Sequence, residues 1–202
     1  MLADLAVIDP ELMMSVPRDV TAATGVDALA HCAEAFTSKR AHPLIDLYAL
    51  EGIRLVGRYL PRAVADGSDR EARAGLALAA LYGGYCLGPV NTTAGHAVAY
   101  PLGTRHHVAH GLACAVIFPH TLAFNASARP EKTAQTLDAL GTKDAYAWCA
   151  ALGIEMRLSR LGVPESDLPV MAKEAHAIRR LLDNNPRDIS EVEIFDLYRR
   201  AF

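Results

Sequence analysis

Asp27 and His31 stand four residues apart in the stretch TGVDALAHCAEAF. On a helix that spacing projects both side chains from one face, with Ala28, Leu29 and Ala30 filling the turn between them. A carboxylate in such apolar surroundings needs a partner, because desolvating it alone is costly. Either the two groups hydrogen-bond each other, or both bind a cation. A second cluster favours the cation. Of the eight histidines, at 31, 42, 96, 106, 107, 110, 120 and 176, five lie between 96 and 120. His96 sits in NTTAGHAVAY and His110 in HHVAHG, 14 residues later. That separation spans one helix end, a turn and the next helix start. Three imidazoles and one carboxylate from three helices form a half-shell around a divalent ion. Such N3O ligation suits Fe(II) or Zn(II), with an open position for a substrate oxygen, and these donors do not choose between the two metals.

The elements that must hold these groups are almost all helical. Leu5-Ala6-Val7-Ile8 alone reads as a strand, ending at Asp9-Pro10. Pro17 opens a helix through Asp27 and His31 to about Thr37, and a second runs from Pro43 to near Gly67. Ser68-Asp69 caps a third that enters Gly83-Gly84. The pattern predicts helix from Thr92 to about Tyr100, stopped by Pro101 and Gly103, and from Gly111 to about Ala128, kinked or split at Pro119. Gly153 and Gly162 suit left-handed helix ends. Ser166 is expected to cap another helix, and Asn184-Asn185-Pro186 breaks the chain before a final amphipathic one. The expected fold is all-α with an N-terminal strand stub: a strand remnant over 1–10 and a helical domain over 11–202.

Composition narrows the function further. The 202 residues carry 20 Lys and Arg against 23 Asp and Glu, 51% hydrophobic and 21% charged. No basic excess supports a nucleic-acid surface. The longest stretch without Asp, Glu, Lys or Arg, Ala74 to Thr104, holds six glycines and two prolines, so it suits buried core helices better than a membrane span. Cysteines 32, 86, 114 and 149 show no CxxC spacing and sit in apolar segments. They read as reduced thiols in a cytoplasmic protein. Cys32 follows His31 but points about 100° away around the helix, so it is not assigned to the site.

The segments TGVDALAHCAEAF (24–36), GHAVAYPLG (95–103), Val108-Ala109-His110-Gly111, Phe118-Pro119-His120 and Phe124-Asn125 together resemble the iron-containing alcohol dehydrogenases. Leu161-Gly162-Val163-Pro164 and Asn185-Pro186-Arg187 extend the resemblance along nearly the whole chain. It implies the helical domain of the dehydroquinate synthase-like, iron-containing alcohol dehydrogenase fold. It also implies a metal site in which Asp27, His31, His96 and His110 each match a ligand position. Glu34 matches a frequent acidic position and is read as supporting a ligand or packing the helix.

Two departures bear on activity. Many family members place a further histidine four residues after the third ligand, suited to proton relay, and this chain has Tyr100 there. Tyr100 is therefore the candidate catalytic residue, although a phenol is a poorer acid and base near neutrality. The family's α/β domain, which holds NAD or NADP on a glycine-rich loop, has no counterpart here. The glycine pair at 83–84 lies inside a helical run, where helix packing is the better reading. The resemblance thus implies the metal-binding, substrate-side half of an NAD(P)-dependent dehydrogenase for a small-molecule alcohol or carbonyl substrate. Its partner would be the missing dinucleotide-binding domain, and apolar surface left for that domain invites homo-oligomerisation. The competing reading is a metal-binding helical module without independent catalysis. A metal-dependent hydrolase is chemically compatible with the ligands, and glycerol-dehydrogenase-like relatives typically use fewer of them. His42 is read as a loop residue, His106 and His107 as exposed with His107 near the substrate pocket, His120 as a satisfied core or pocket-wall residue, and His176 as solvated.

Overall fold

The computed structural model describes residues 4–202, and these form helices and turns with no strand. Leu5–Ile8 departs from the expected strand: it is irregular, and Leu5 and Val7 are largely exposed. A strand needs a neighbour to pair its backbone N–H and C=O groups, and the described residues offer none. Residues 1–3 of the predicted remnant lie outside the described residues. Asp9 then caps a short 3-10 turn, Pro10–Met13.

Ten α-helices follow: α1 (Arg18–Thr37), α2 (Pro43–Ala65), α3 (Arg70–Leu87), α4 (Ala94–His106), α5 (His110–Asn125), α6 (Pro130–Leu140), α7 (Ala145–Ala151), α8 (Leu168–His176), α9 (Arg179–Leu182) and α10 (Glu191–Ala201). The apolar faces build two cores. The first joins α1, α2 and α3 with parts of α5, α6 and α7, around Leu29, Phe36, Ile53 and Leu60. The second joins α4, α8, α9 and α10, around Val98, Leu102, Met171 and Tyr198. Burying each such side chain contributes roughly 1.5–3 kcal/mol. α5 belongs to both: Ala115 and Phe118 enter the first core, Ala113, Val116 and Ile117 the second, and Leu112 touches each.

That shared position explains one departure from expectation. α5 continues unsplit through Pro119, which is buried. A mid-helix proline costs roughly 3 kcal/mol, and packing on both sides outweighs it. α4 likewise runs through buried Pro101 to His106 rather than stopping there. It ends where His107 takes a left-handed φ of 56°, with its N–H on the Gly103 carbonyl and the Val108 N–H on that of Leu102. Gly153 and Gly162 are left-handed as expected, at φ 87° and 80°. Ser166 does not cap α8; its hydroxyl turns to Asp167, within a 3-10 turn over Glu165–Asp167. α10 starts on a reciprocal Ser190–Glu193 capping box.

Candidate metal centre

The clustered groups meet on the seam between the two cores. α1 brings Asp27 and His31 from the first core, α4 brings His96 from the second, and His110 is the first residue of the shared helix α5. Asp27 is the hub. Its Oδ1 lies 3.4 Å from His96 Nε2 and 3.9 Å from His31 Nε2, and its Oδ2 lies 3.7 Å from His110 Nε2. The His31 and His96 rings stack with centroids 4.6 Å apart, and the His96 and His110 centroids are 5.5 Å apart. The four residues singled out from sequence are therefore brought together.

Glu34 locks the deepest of them. Its carboxylate is buried, and Oε1 lies 2.7 Å from His96 Nδ1. Oε2 accepts from the Thr93 backbone N–H at 2.6 Å and the Thr93 hydroxyl at 2.9 Å. One side chain on α1 thereby fixes both the start of α4 and the orientation of the His96 ring. The approach is close enough that a Cβ on Gly95 would fall 2.4 Å from Glu34 Oε1. Gly83 does the same service for α3, where a Cβ would come 3.2 Å from the His31 Cβ. Helix packing thus holds for Gly83, whereas a Cβ at Gly84 would meet nothing within 4 Å. Behind α4, buried Asn125 and Asn185 exchange side-chain hydrogen bonds at 2.9 Å, and Asn185 also accepts from the Ala94 N–H.

Burial and neighbouring charge oppose one another throughout this pocket. Burial pushes the Glu34 carboxyl up, but the charge and hydrogen bonding of His96 and the Thr93 donors outweigh it and leave the pKa below the ordinary carboxylate range. Burial likewise pushes Asp27 up, and the facing His96, His31 and His110 more than offset it. For His96, burial alone would lower the pKa; Glu34 on one nitrogen and Asp27 near the other raise it instead. Burial keeps His31 below the usual imidazole value despite the pull of Asp27. At the centre, Asp27 Oδ1 and His96 Nε2 are buried and make no hydrogen bond. Buried polar atoms are ordinarily satisfied; these two face each other at 3.4 Å without forming a hydrogen bond.

Cys114 was not foreseen. Asp27, His96, His110 and Cys114 present donor atoms all within 4.8 Å of one another, a set that does not include His31. The thiol is buried, which holds its pKa up at about 12, and Sγ is 3.6 Å from His110 Nε2. The signal was available: Cys114 follows His110 by the same four residues that separate Asp27 from His31.

The half-buried Tyr100 ring flanks the cluster, 6.0 Å from His110 and 6.5 Å from His96. His107 is exposed, but His106 is half-buried rather than exposed and approaches Asp167 at 3.4 Å; His42 caps α2 by accepting from the Leu44 N–H. His120 lines a surface cavity of about 390 Å³ against Tyr146, and its Nε2 lacks a partner, so it is a wall residue but not a satisfied one. His176 is half-buried rather than fully solvated. Cys32 packs fully buried beside Gly52 and Gly83, on the α2 and α3 side of its helix. No helix of the described residues is long and apolar enough to cross a membrane.

Residues 21–202 match the family described as Fe-containing alcohol dehydrogenase family, C-terminal. The chain is 39% identical to 1,3-propanediol dehydrogenase of Citrobacter freundii, covering all of this chain and 56% of that protein. It is 37% identical to long-chain-alcohol dehydrogenase 1 of Geobacillus thermodenitrificans, again over its full length and 55% of the relative. Among solved structures, a 1,3-propanediol oxidoreductase superposes with a TM-score of 0.90 at 38% identity, over 96% of this chain and 55% of that one. The chain spans about half the length of the relatives it matches.

Proposed function

We propose that this chain, which belongs to the iron-containing alcohol dehydrogenase family, is the metal-binding, substrate-side half of an NAD(P)-dependent alcohol dehydrogenase acting reversibly between an alcohol and an aldehyde or ketone. The observation that carries this reading is the convergence of donor atoms from three helices on Asp27, with Asp27 Oδ1 and His96 Nε2 buried and making no hydrogen bond. Asp27, His31, His96 and His110 are the residues that would hold Fe(II) or Zn(II). A bound divalent cation supplies Lewis-acid polarisation of an alcohol or carbonyl oxygen. Glu34 fixes the His96 ring by its Nδ1 contact, which leaves Nε2 directed at Asp27. His110, half exposed at the start of α5, borders the solvent side from which a small substrate enters. Tyr100, whose ring lies 6.0 Å from that of His110, is the residue assigned to donate a hydrogen bond to a substrate oxygen. The four buried cysteines, all free, suit a reducing, cytoplasmic setting.

The dinucleotide belongs to the half that the longer relatives possess in addition. Holding the nicotinamide beside the substrate carbon contributes about 7–11 kcal/mol to such a reaction, and losing even ~7 kcal/mol slows it by about five orders of magnitude. The test is turnover of simple alcohols and aldehydes with NAD and NADP by the zinc- or iron-loaded chain, alone and joined to the N-terminal half of the Citrobacter freundii relative. The expected result is negligible turnover alone, and turnover in the joined protein that is lost with His96→Ala. Tight cofactor binding and ordinary rates from the 202 residues alone would overturn the half-enzyme reading. Metal uptake with no dehydrogenase activity in a folded joined protein favours the alternative, a metal-binding helical module without catalysis.

A further inference from the structure

Cys114 lies one turn beyond His110 on α5, so both side chains leave the same helix face. Its Sγ is 3.6 Å from His110 Nε2, and it completes the set of four donors that lie within 4.8 Å of one another. A weak thiol–imidazole hydrogen bond explains that distance by itself. It does not explain the rest of the set. His96 Nε2, on a side chain only 3% exposed, and Asp27 Oδ1 both lack a hydrogen bond and lie within 4.8 Å of the His110 and Cys114 donors. Donors held at ordinary Zn–N, Zn–O and Zn–S lengths in a tetrahedron lie about 3.3–3.6 Å apart. The His96–Asp27 and Cys114–His110 separations, 3.4 and 3.6 Å, are two such edges.

We propose that Cys114 Sγ is a ligand of the cation at this site, closing a mixed nitrogen, oxygen and sulfur set with Asp27, His96 and His110. This rests on the metal-centre reading above and adds a donor that the resemblance did not supply. Forming the metal–sulfur bond releases the thiol proton to solvent and involves no redox change. A soft sulfur donor shifts the preference toward Zn(II) over Fe(II). His31, whose nitrogen stands outside the tight set, becomes the loosest of the five donors.

Cobalt(II) separates this from a site made of nitrogen and oxygen alone. The chain is loaded with Co(II) without added thiols, and its absorption is followed from the near ultraviolet through the visible. Sulfur-to-cobalt charge transfer gives an intense near-ultraviolet band that nitrogen and oxygen donors do not. The expected band saturates at about one equivalent, as for a single ligand set, and vanishes in Cys114→Ser while the weaker visible ligand-field bands persist. Cys32, Cys86 and Cys149 remain in that variant and serve as internal controls. Zinc affinity should also fall by at least about tenfold in Cys114→Ser or Cys114→Ala with helical content unchanged, since even residues that merely orient a ligand cost this much. Ligand-field bands without charge transfer in the unmodified chain, or charge transfer that survives Cys114→Ser, would overturn the sulfur assignment and leave the metal centre standing. No cobalt uptake at all would overturn both.

Discussion

His96 and His110 face the same carboxylate from opposite environments. The His96 side chain is 3% exposed, gripped at Nδ1 by Glu34, and carried on a helix whose first turn is tied down by Thr93 and Asn185. The His110 side chain is 51% exposed at the first residue of α5; neither helix has a side-chain N-cap, so the difference lies in the grip of Glu34 and Asn185 on α4. Depth and support set one ring in place before any ligand arrives; the other keeps freedom to adjust. A centre that must bind a cation firmly and still admit a substrate needs both kinds of ligand.

The largest difference between the two sides should appear on deletion. His96→Ala is expected to abolish zinc-dependent stabilisation. In the unmodified chain, zinc at 1,000 times its Kd adds about 4 kcal/mol, read as a rise in melting temperature that the variant does not show. His110→Ala should weaken zinc binding but retain a measurable rise. Equal losses in the two variants would break the asymmetry.

Next come the supports. Glu34→Gln keeps the shape but removes the charge facing His96, and zinc affinity should fall about 10- to 100-fold by calorimetry. Gly95→Ala should weaken it comparably, because the new methyl must displace the Glu34 carboxylate. The buried side also carries a pH signature. Glu34 is held below its ordinary value near 4.5, so its stabilising contribution is full above that value and is lost as pH falls through the folded pKa. Acid unfolding of the metal-free chain should therefore be steeper below about pH 4.5 than in Glu34→Gln. Parallel curves would show that the carboxylate does not hold α4. The smallest effect is expected at the open rim: Tyr100→Phe should leave zinc affinity within about threefold by calorimetry, under 1 kcal/mol. A larger loss would place Tyr100 inside the metal set.

Much of this was legible because helical patterning is local. The Asp27–His31 spacing, the Asp69 cap and the glycines at 153 and 162 all report on neighbours within a turn or two. The misreadings have one physical source, which is that tertiary packing decides what local rules leave marginal. Pro101 and Pro119 were expected to stop or split helices, and both are carried through by the cores packed around them. Leu5–Ile8 has strand-like residues but no strand to pair with among the described residues. At the site, the donors on three helices could be nominated from spacing. The grip of Glu34 on His96, 62 residues away, depends on how α1 crosses α4, which no spacing rule encodes. Cys114 lies between apolar Ala113 and Ala115, so only its helical register with His110, not its neighbours, marks it.

The central claim is a single cation site on the seam between the two cores, anchored from its buried side. Calorimetric titration of the metal-free chain with Zn(II), run beside His96→Ala, tests it most directly. The account predicts one saturating site per chain, as a single ligand set requires, absent from the variant while its helical content is unchanged. No zinc binding by the unmodified chain, or the same binding in His96→Ala, would contradict it.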